Sequence, residues 1–218
     1  MLLAFDTSSA AVTVALHDGT SVVAEQTQIG ALAHAELLAP AIATVLAEAG
    51  GSRSDLTSIA VGVGPGPFTG LRVGVTTALV MGAALHIPVF GVCSLDVIAR
   101  EAVGADDLPA LTGPFLVATD ARRREVYWAK YDAEGGRLEG PSVDRPAELA
   151  EALPGLPVVG RGAELYADVL AAADGPAYPS AVVLAEAVAA GKIPVLEPEP
   201  LYLRRPDVQE PGKPKKVS

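Results

Sequence analysis

The chain has 218 residues, half of them hydrophobic, and 26 acidic against 16 basic side chains give it a formal net charge of -10. That balance argues against a protein that grips nucleic acid unaided, since a phosphate backbone attracts clustered Lys and Arg. The single cysteine, Cys93, excludes an intrachain disulfide framework and any multi-cysteine zinc site.

The opening reads as three strands. LLAFDT is an apolar run ending in polar residues, VTVALHDG stops at the turn pair Asp18-Gly19, and SVVAEQTQ follows directly, which predicts an antiparallel meander. The N-terminus reaches Asp6 at once with no basic stretch before an apolar one, so no secretory signal is read there and the cytosol is the default. A helical pattern follows at Leu37, Leu38, Ala41, Ile42, Val45, Leu46 and Ala49, closed by Gly50 and Gly51. Pro40 lies inside it and predicts a start or a kink.

Ser58 to Gly64 is a short strand leading into the turn GPGPFTGLRVG, after which Thr69 is placed to cap a helix running to about Leu85. IPVFGV supplies a fifth strand, and Ser94 or Asp96 caps the helix DVIAREAV. The uncharged run from Val73 to Val92 has the length of a bilayer span, but Gly74, Gly82, His86, Pro88 and Gly91 interrupt it, and it reads as a buried helix followed by a strand. The order β-β-β-α-β-α-β-α fits a mixed sheet with helices on its faces.

A linker rich in Gly, Pro and Asp is read at Gly104 to Pro114, and the second half then repeats the order. FLVATD resembles LLAFDT, VYWAKYD pairs through Glu134-Gly135-Gly136 with RLEGPSV, and helices are predicted at about Pro146 to Leu153, in ELYADVLAAA and in SAVVLAEAVAAG. The reading is therefore two lobes, residues 1–103 and 104–204, each closing its first strand on a carboxylate, Asp6 and Asp120. Residues 205–218 lack an apolar period and read as a disordered tail with Lys213, Lys215 and Lys216.

Several chemistries can be weighed on these residues. Gly64, Gly66 and Gly70 make G-x-G-x-x-x-G with no Lys-Ser/Thr pair behind, and Pro65 and Pro67 each delete an N–H that a phosphate cradle would use. The turn is built for rigidity. Behind it Gly74, Ala78 and Gly82 form a smooth ridge at i, i+4 and i+8, beside the row Leu71, Val75 and Leu79. Spacing leaves open whether a helix of this chain or of a partner covers that ridge. Asp6 and Asp120 could hold a magnesium-phosphate between the lobes, or simply cap turns; Arg122, Arg123 and Arg124 stand where a phosphate-wrapping turn would be wanted. His17, His34 and His86 are too far apart to suggest a metal site, and no G-x-S-x-G elbow is present.

FDTSS (residues 5–9), HAELLAP (34–40), GPGPFTGLRVG (64–74), DARRREVY (120–127) and PLYLR (200–204) together make the chain resemble the bacterial TsaB family, also called YeaZ and described as glycoprotease-like. The resemblance implies a two-lobed actin-like fold (ASKHA, ribonuclease H-like) without independent catalysis. It further implies work beside a catalytic TsaD, the ATPase TsaE and the synthase TsaC in making N6-threonylcarbamoyladenosine on tRNA.

Carried over by motif, a surface for TsaD or for a second copy is expected on two helices of the first lobe. Its expected residues are His34, Leu37, Leu38, Ala41, Leu71, Arg72, Gly74, Val75, Ala78, Leu79 and Gly82. The resemblance further marks as family-motif or cleft positions Asp6, Thr7, Ser8, Ser9, Gly64, Pro65, Gly66, Pro67, Phe68, Thr69, Gly70, Asp120, Arg122 and Glu125. ATP, ADP and metal are expected on partner subunits or shared interfaces, and tRNA contact only through the complex, with no membrane. The competing reading is an ATP-dependent small-molecule kinase of the same fold; a metalloprotease is a third.

Overall fold

The computed structural model describes residues 1–30, 33–104 and 111–204. The predicted linker falls partly, and the tail wholly, outside them.

Strands β1 (Leu2–Asp6), β2 (Ala11–His17) and β3 (Val22–Ile29) form the expected antiparallel meander. Strands β4 (Ser58–Gly64) and β5 (Val89–Cys93) join β1 in parallel, giving the order β3-β2-β1-β4-β5. Helix α1 (His34–Glu48) precedes β4 and α2 (Phe68–Leu85) follows it. Helix α1 does not begin at Pro40, which lies on the exposed side of a helix that starts at His34 and runs through it.

All of β1 and β2 is buried, so this sheet is covered on both faces. Leu3, Phe5, Val12 and Val14 lie under Leu38, Ala41, Val45, Val75 and Ala78 of α1 and α2. The alternate residues Leu2, Ala4 and Ala15 lie under helix α6 (Ala181–Ala189), through Leu184 and Ala185. Each side of the pleat thus has its own apolar layer.

The second lobe holds β6 (Phe115–Asp120), β7 (Val126–Tyr131), β8 (Arg137–Asp144) and β9 (Val158–Val159), with helices α4 (Pro146–Ala152) and α5 (Arg161–Leu165). Its order, β8-β7-β6-β9, repeats β3-β2-β1-β4 of the first lobe. Helix α3 (Ser94–Gly104) lies between the lobes and packs Leu95, Ile98 and Ala99 against Phe115, Val117 and Tyr131.

Two readings need correction. The second lobe is not the continuous segment 104–204, because the chain returns to the first lobe at Pro179, whose carbonyl accepts from Thr13 Oγ1 at 3.0 Å. After α6, Leu196 exchanges both backbone hydrogen bonds with Gly91 of β5. The cause is the second apolar face of β1 and β2, which needs a cover that the first 104 residues do not supply. The segment ELYADVLAAA is also not one helix: α5 stops at Leu165, and Ala171 and Ala173 pair with Val158.

Helix α2 is long and apolar enough to cross a bilayer by composition, but its Leu71, Val75 and Ala78 row is buried within the chain.

Candidate functional site

The cleft between the lobes is a cavity of about 200 Å³ lined by Ser8, Ser9, Pro67, Asp120, Arg122, Arg161 and Tyr178. That is below the roughly 300–1,000 Å³ common for cofactor-sized ligands. Of the two predicted carboxylates only Asp120 lines it. Asp6 is 1% exposed. Its Oδ1 accepts from the Ser8 backbone N–H at 2.7 Å and its Oδ2 from Ser94 Oγ at 2.5 Å. Burial pushes its carboxyl above the usual range, opposed by the Ser94 and Ser8 hydrogen bonds. At 1% exposure and tied to Ser8 and Ser94, neither oxygen is presented to the cleft.

Asp120 remains at the cleft edge, where Oδ1 caps the Arg122 N–H at 2.8 Å and Oδ2 pairs with Arg122 Nη1 at 3.3 Å. It holds a left-handed turn in which Arg122, Arg123 and Arg124 have φ of 61°, 55° and 62°. Each such residue costs about 1–2 kcal/mol when it is not glycine. The turn is closed by Ala121 N–H to Glu125 O and Glu125 N–H to Arg122 O, both 3.0 Å.

The glycine-proline turn packs on the DTSS turn. Thr7 Oγ1 donates to Gly70 O at 2.8 Å. A Cβ built on Gly66 would stand 2.1 Å from Ser8 O, and one on Gly74 would stand 2.3 Å from Thr7 Oγ1. The two motifs are therefore one packing unit. Gly64 and Pro65 are buried with it, while Phe68 and Thr69 reach the surface.

This geometry corrects the expected partner ridge. Gly74, Ala78 and Gly82 face their own chain; a Cβ on Gly82 would stand 2.4 Å from the Val89 side chain. Leu38, Ala41, Leu71 and Val75 are core, and His34 is buried with Nε2 2.6 Å from Ser9 O. Of the expected surface, Arg72 and Leu79 are exposed and Leu37 is half-buried. Large apolar periodicity marked the face turned to the sheet.

The outward face is made instead of small residues. Ala35, Ala39, Ala43 and Ala47 form an exposed row at i, i+4, i+8 and i+12 on α1. Helix α2 contacts α1 and contributes exposed Leu79, Val80, Ala83 and Ala84. No charge occurs between Val73 and Leu85.

Elsewhere the candidate groups are structural. His17 Nδ1 accepts from Gly19 N–H at 3.0 Å, and His86 is the left-handed cap of α2. Among the described residues no cluster of His, Cys, Asp or Glu suits a metal ion. Burial pushes the Cys93 thiol up to about 12, so it stays protonated.

The motif PLYLR has a role that its sequence does not announce. Leu201 N–H donates to Val63 O in the first lobe at 2.8 Å. Arg204 donates to Ala121 O at 3.2 Å and pairs with Glu125 in the second. Tyr202 stacks on Phe68 with ring centres 4.9 Å apart. The segment straps the lobes together; only its arginine and aromatic residues could have signalled this.

Comparison with known proteins gives a consistent result. A family model described as TsaD, tRNA N6-adenosine threonylcarbamoyltransferase, matches residues 21–192. A Mycobacterium tuberculosis (strain H37Rv) protein described only as uncharacterized is 43% identical over 213 residues, spanning 95% of this chain and 93% of its own. The tRNA threonylcarbamoyladenosine biosynthesis protein TsaB of Escherichia coli K12 is 31% identical over 223 residues, spanning 93% of this chain and 94% of its own. The solved structure of YeaZ from Pseudomonas aeruginosa superposes with TM-score 0.75 at 30% identity, covering 93% of this chain and 99% of that one.

Proposed function

This chain belongs to the TsaB (YeaZ) family of tRNA threonylcarbamoyladenosine biosynthesis proteins, and on that premise we propose that it is the accessory subunit that a TsaD-like threonylcarbamoyltransferase needs. The chain takes part in the modification by docking. The observation that carries this reading is the apolar strip on the outer side of α1 and α2, the row Ala35, Ala39, Ala43 and Ala47 beside Leu79 and Val80, with the exposed charges of α1, Glu36 and Glu48, in its first and last turns.

Small side chains let two helices approach closely, and an apolar face of this kind marks a contact surface. The identity of the occupant follows from relatedness. The family model that matches this chain is that of the transferase itself, so the partner is built on a related lobe and can present its own helix pair. Two pairs meeting face to face make a four-helix contact with near-twofold symmetry. A second copy of this chain would satisfy the same face, and in the cell it competes with the transferase.

The chain itself performs no chemistry in this account. Both Asp6 oxygens are engaged within the fold, Cys93 is a buried thiol, and the cleft is small. ATP, ADP and metal belong to the transferase and a TsaE-like ATPase, and the assembly works in the cytoplasm. The test is reconstitution of tRNA modification from purified TsaD-like, TsaE-like and synthase components with and without this chain. Modification at the full rate without it would overturn the proposal.

A further inference from the structure

Among the described residues the acidic chain carries a concentrated cationic rim. The left-handed turn projects Arg122, Arg123 and Arg124 in succession, all exposed. Arg204 is held against the same turn by Ala121 O and Glu125. Across a depression of about 200 Å³ lie Phe68 and Tyr202, and the Arg72 guanidinium sits 5.0 Å from the Phe68 ring centre. Asp120 pairs with Arg122 and Glu125 with Arg204, so five arginines gather on one side of a chain whose total charge is -10. The sequence continues from Arg204 into Arg205, and further on into Lys213, Lys215 and Lys216.

We propose that this rim is a direct RNA contact: the arginines of the turn hold backbone phosphates of the tRNA being modified, and the stacked Phe68 and Tyr202 present an aromatic edge to a base. The inference rests on the proposed role in tRNA modification. Guanidinium groups match phosphate oxygens in a planar fork, which suits a rim made of arginine. Phe68 is 38% and Tyr202 42% exposed, and an aromatic platform beside a cationic track is how single-stranded nucleic acid is held without sequence readout. An acidic protein would engage the charges and leave that stack without a partner. The three left-handed arginines add a second reason, since backbone strain of this kind collects at functional positions.

The test uses the full chain, alone and with its TsaD-like partner, and a fluorescein-labelled tRNA transcript as probe. The double variant Arg123→Glu/Arg124→Glu is compared with wild type by anisotropy across a salt series and by co-elution with the partner. The proposal expects co-elution unchanged and tRNA affinity of the complex at least tenfold weaker. The slope of log affinity against log salt should fall by about 1.5, at roughly 0.7–0.9 per lost phosphate contact. Tyr202→Leu, which keeps an apolar packing group, should weaken binding with no change in that slope.

Unchanged tRNA affinity with intact co-elution overturns the RNA contact and leaves the accessory role standing. Lost co-elution assigns the rim to a protein partner and also overturns it. If wild type forms no complex with the transferase, the accessory role fails, and the chain alone decides the RNA contact. Binding by the wild type that is lost in the double variant supports it, and no binding by the wild type overturns it.

Discussion

Tyr131 of the second lobe donates its phenol hydrogen to Asp96 Oδ1 of α3 at 2.7 Å, in an interior where both side chains are buried. Arg137 Nε lies 3.5 Å from the same oxygen, and Phe115 stacks on the Tyr131 ring with centres 5.7 Å apart. Burial pushes the Asp96 carboxyl up, opposed by the Tyr131 hydrogen bond and the Arg137 charge. Tyr131→Phe keeps the ring and removes the donor from a buried carboxylate, and should cost about 1–3 kcal/mol. Urea unfolding checks this; an unchanged midpoint would remove the pair from the account of how the lobes are held.

Glu101 on α3 has a buried Oε2 with no hydrogen-bond partner among the described residues, and burial pushes its carboxyl up to about 7. The native state therefore keeps a proton that the unfolded chain releases near the ordinary value of 4.5. Stability falls as pH rises from that value through about 7, and the loss is complete above it. Glu101→Gln should flatten this decline and melt higher than wild type at pH 8. Parallel pH profiles of the melting temperature would contradict it.

Burial also divides the consequences of crowding α2 and α1. Gly74→Leu and Gly82→Leu drive side chains into Thr7 and Val89, so both should destabilise the fold itself, by about 1–3 kcal/mol or more. Ala43→Trp lies on the exposed row and should leave the melting temperature within a few degrees of wild type. Circular dichroism melts separate the two groups. Stable Gly74→Leu protein would mean that the motif turn is not packed on DTSS.

The kinase reading makes a calorimetric demand: heat from ATP-magnesium with the isolated chain, reduced by Asp120→Asn. With Asp6 engaged by Ser8 and Ser94, titration should give no saturable heat for either protein. Ser94→Ala should destabilise by about 1–3 kcal/mol, because Asp6 Oδ2 loses its donor in a buried site. Saturable ATP binding weakened by Asp120→Asn would revive the kinase.

Much of the strand order was legible, because β1 to β5 are short apolar runs separated by turn residues, and α1 to α3 carry a helical period. The two motifs that identify the family turn out to touch each other, which local pattern cannot say: Thr7 and Gly70 are 63 positions apart. The direction of the small-residue ridge is likewise not carried by its spacing. Gly74, Ala78 and Gly82 announce that something comes close, and the something was Thr7 and Val89 of the same chain. The proposed docking face is not marked in the sequence, since alanines at 35, 39, 43 and 47 look neutral in a periodicity dominated by Leu38, Ile42 and Val45. The return of α6 to the first sheet was hidden for want of any mark in its sequence of which lobe it covers.

The docking claim is tested most directly by sedimentation of this chain with its TsaD-like partner, comparing wild type with the double variant Ala39→Arg/Ala43→Arg. The account predicts a one-to-one complex for wild type at micromolar concentration. For the variant it predicts binding weakened at least tenfold, with an unchanged circular dichroism spectrum and melting temperature. Equal association of the two proteins would place the partner on another surface and contradict the assignment of α1 and α2.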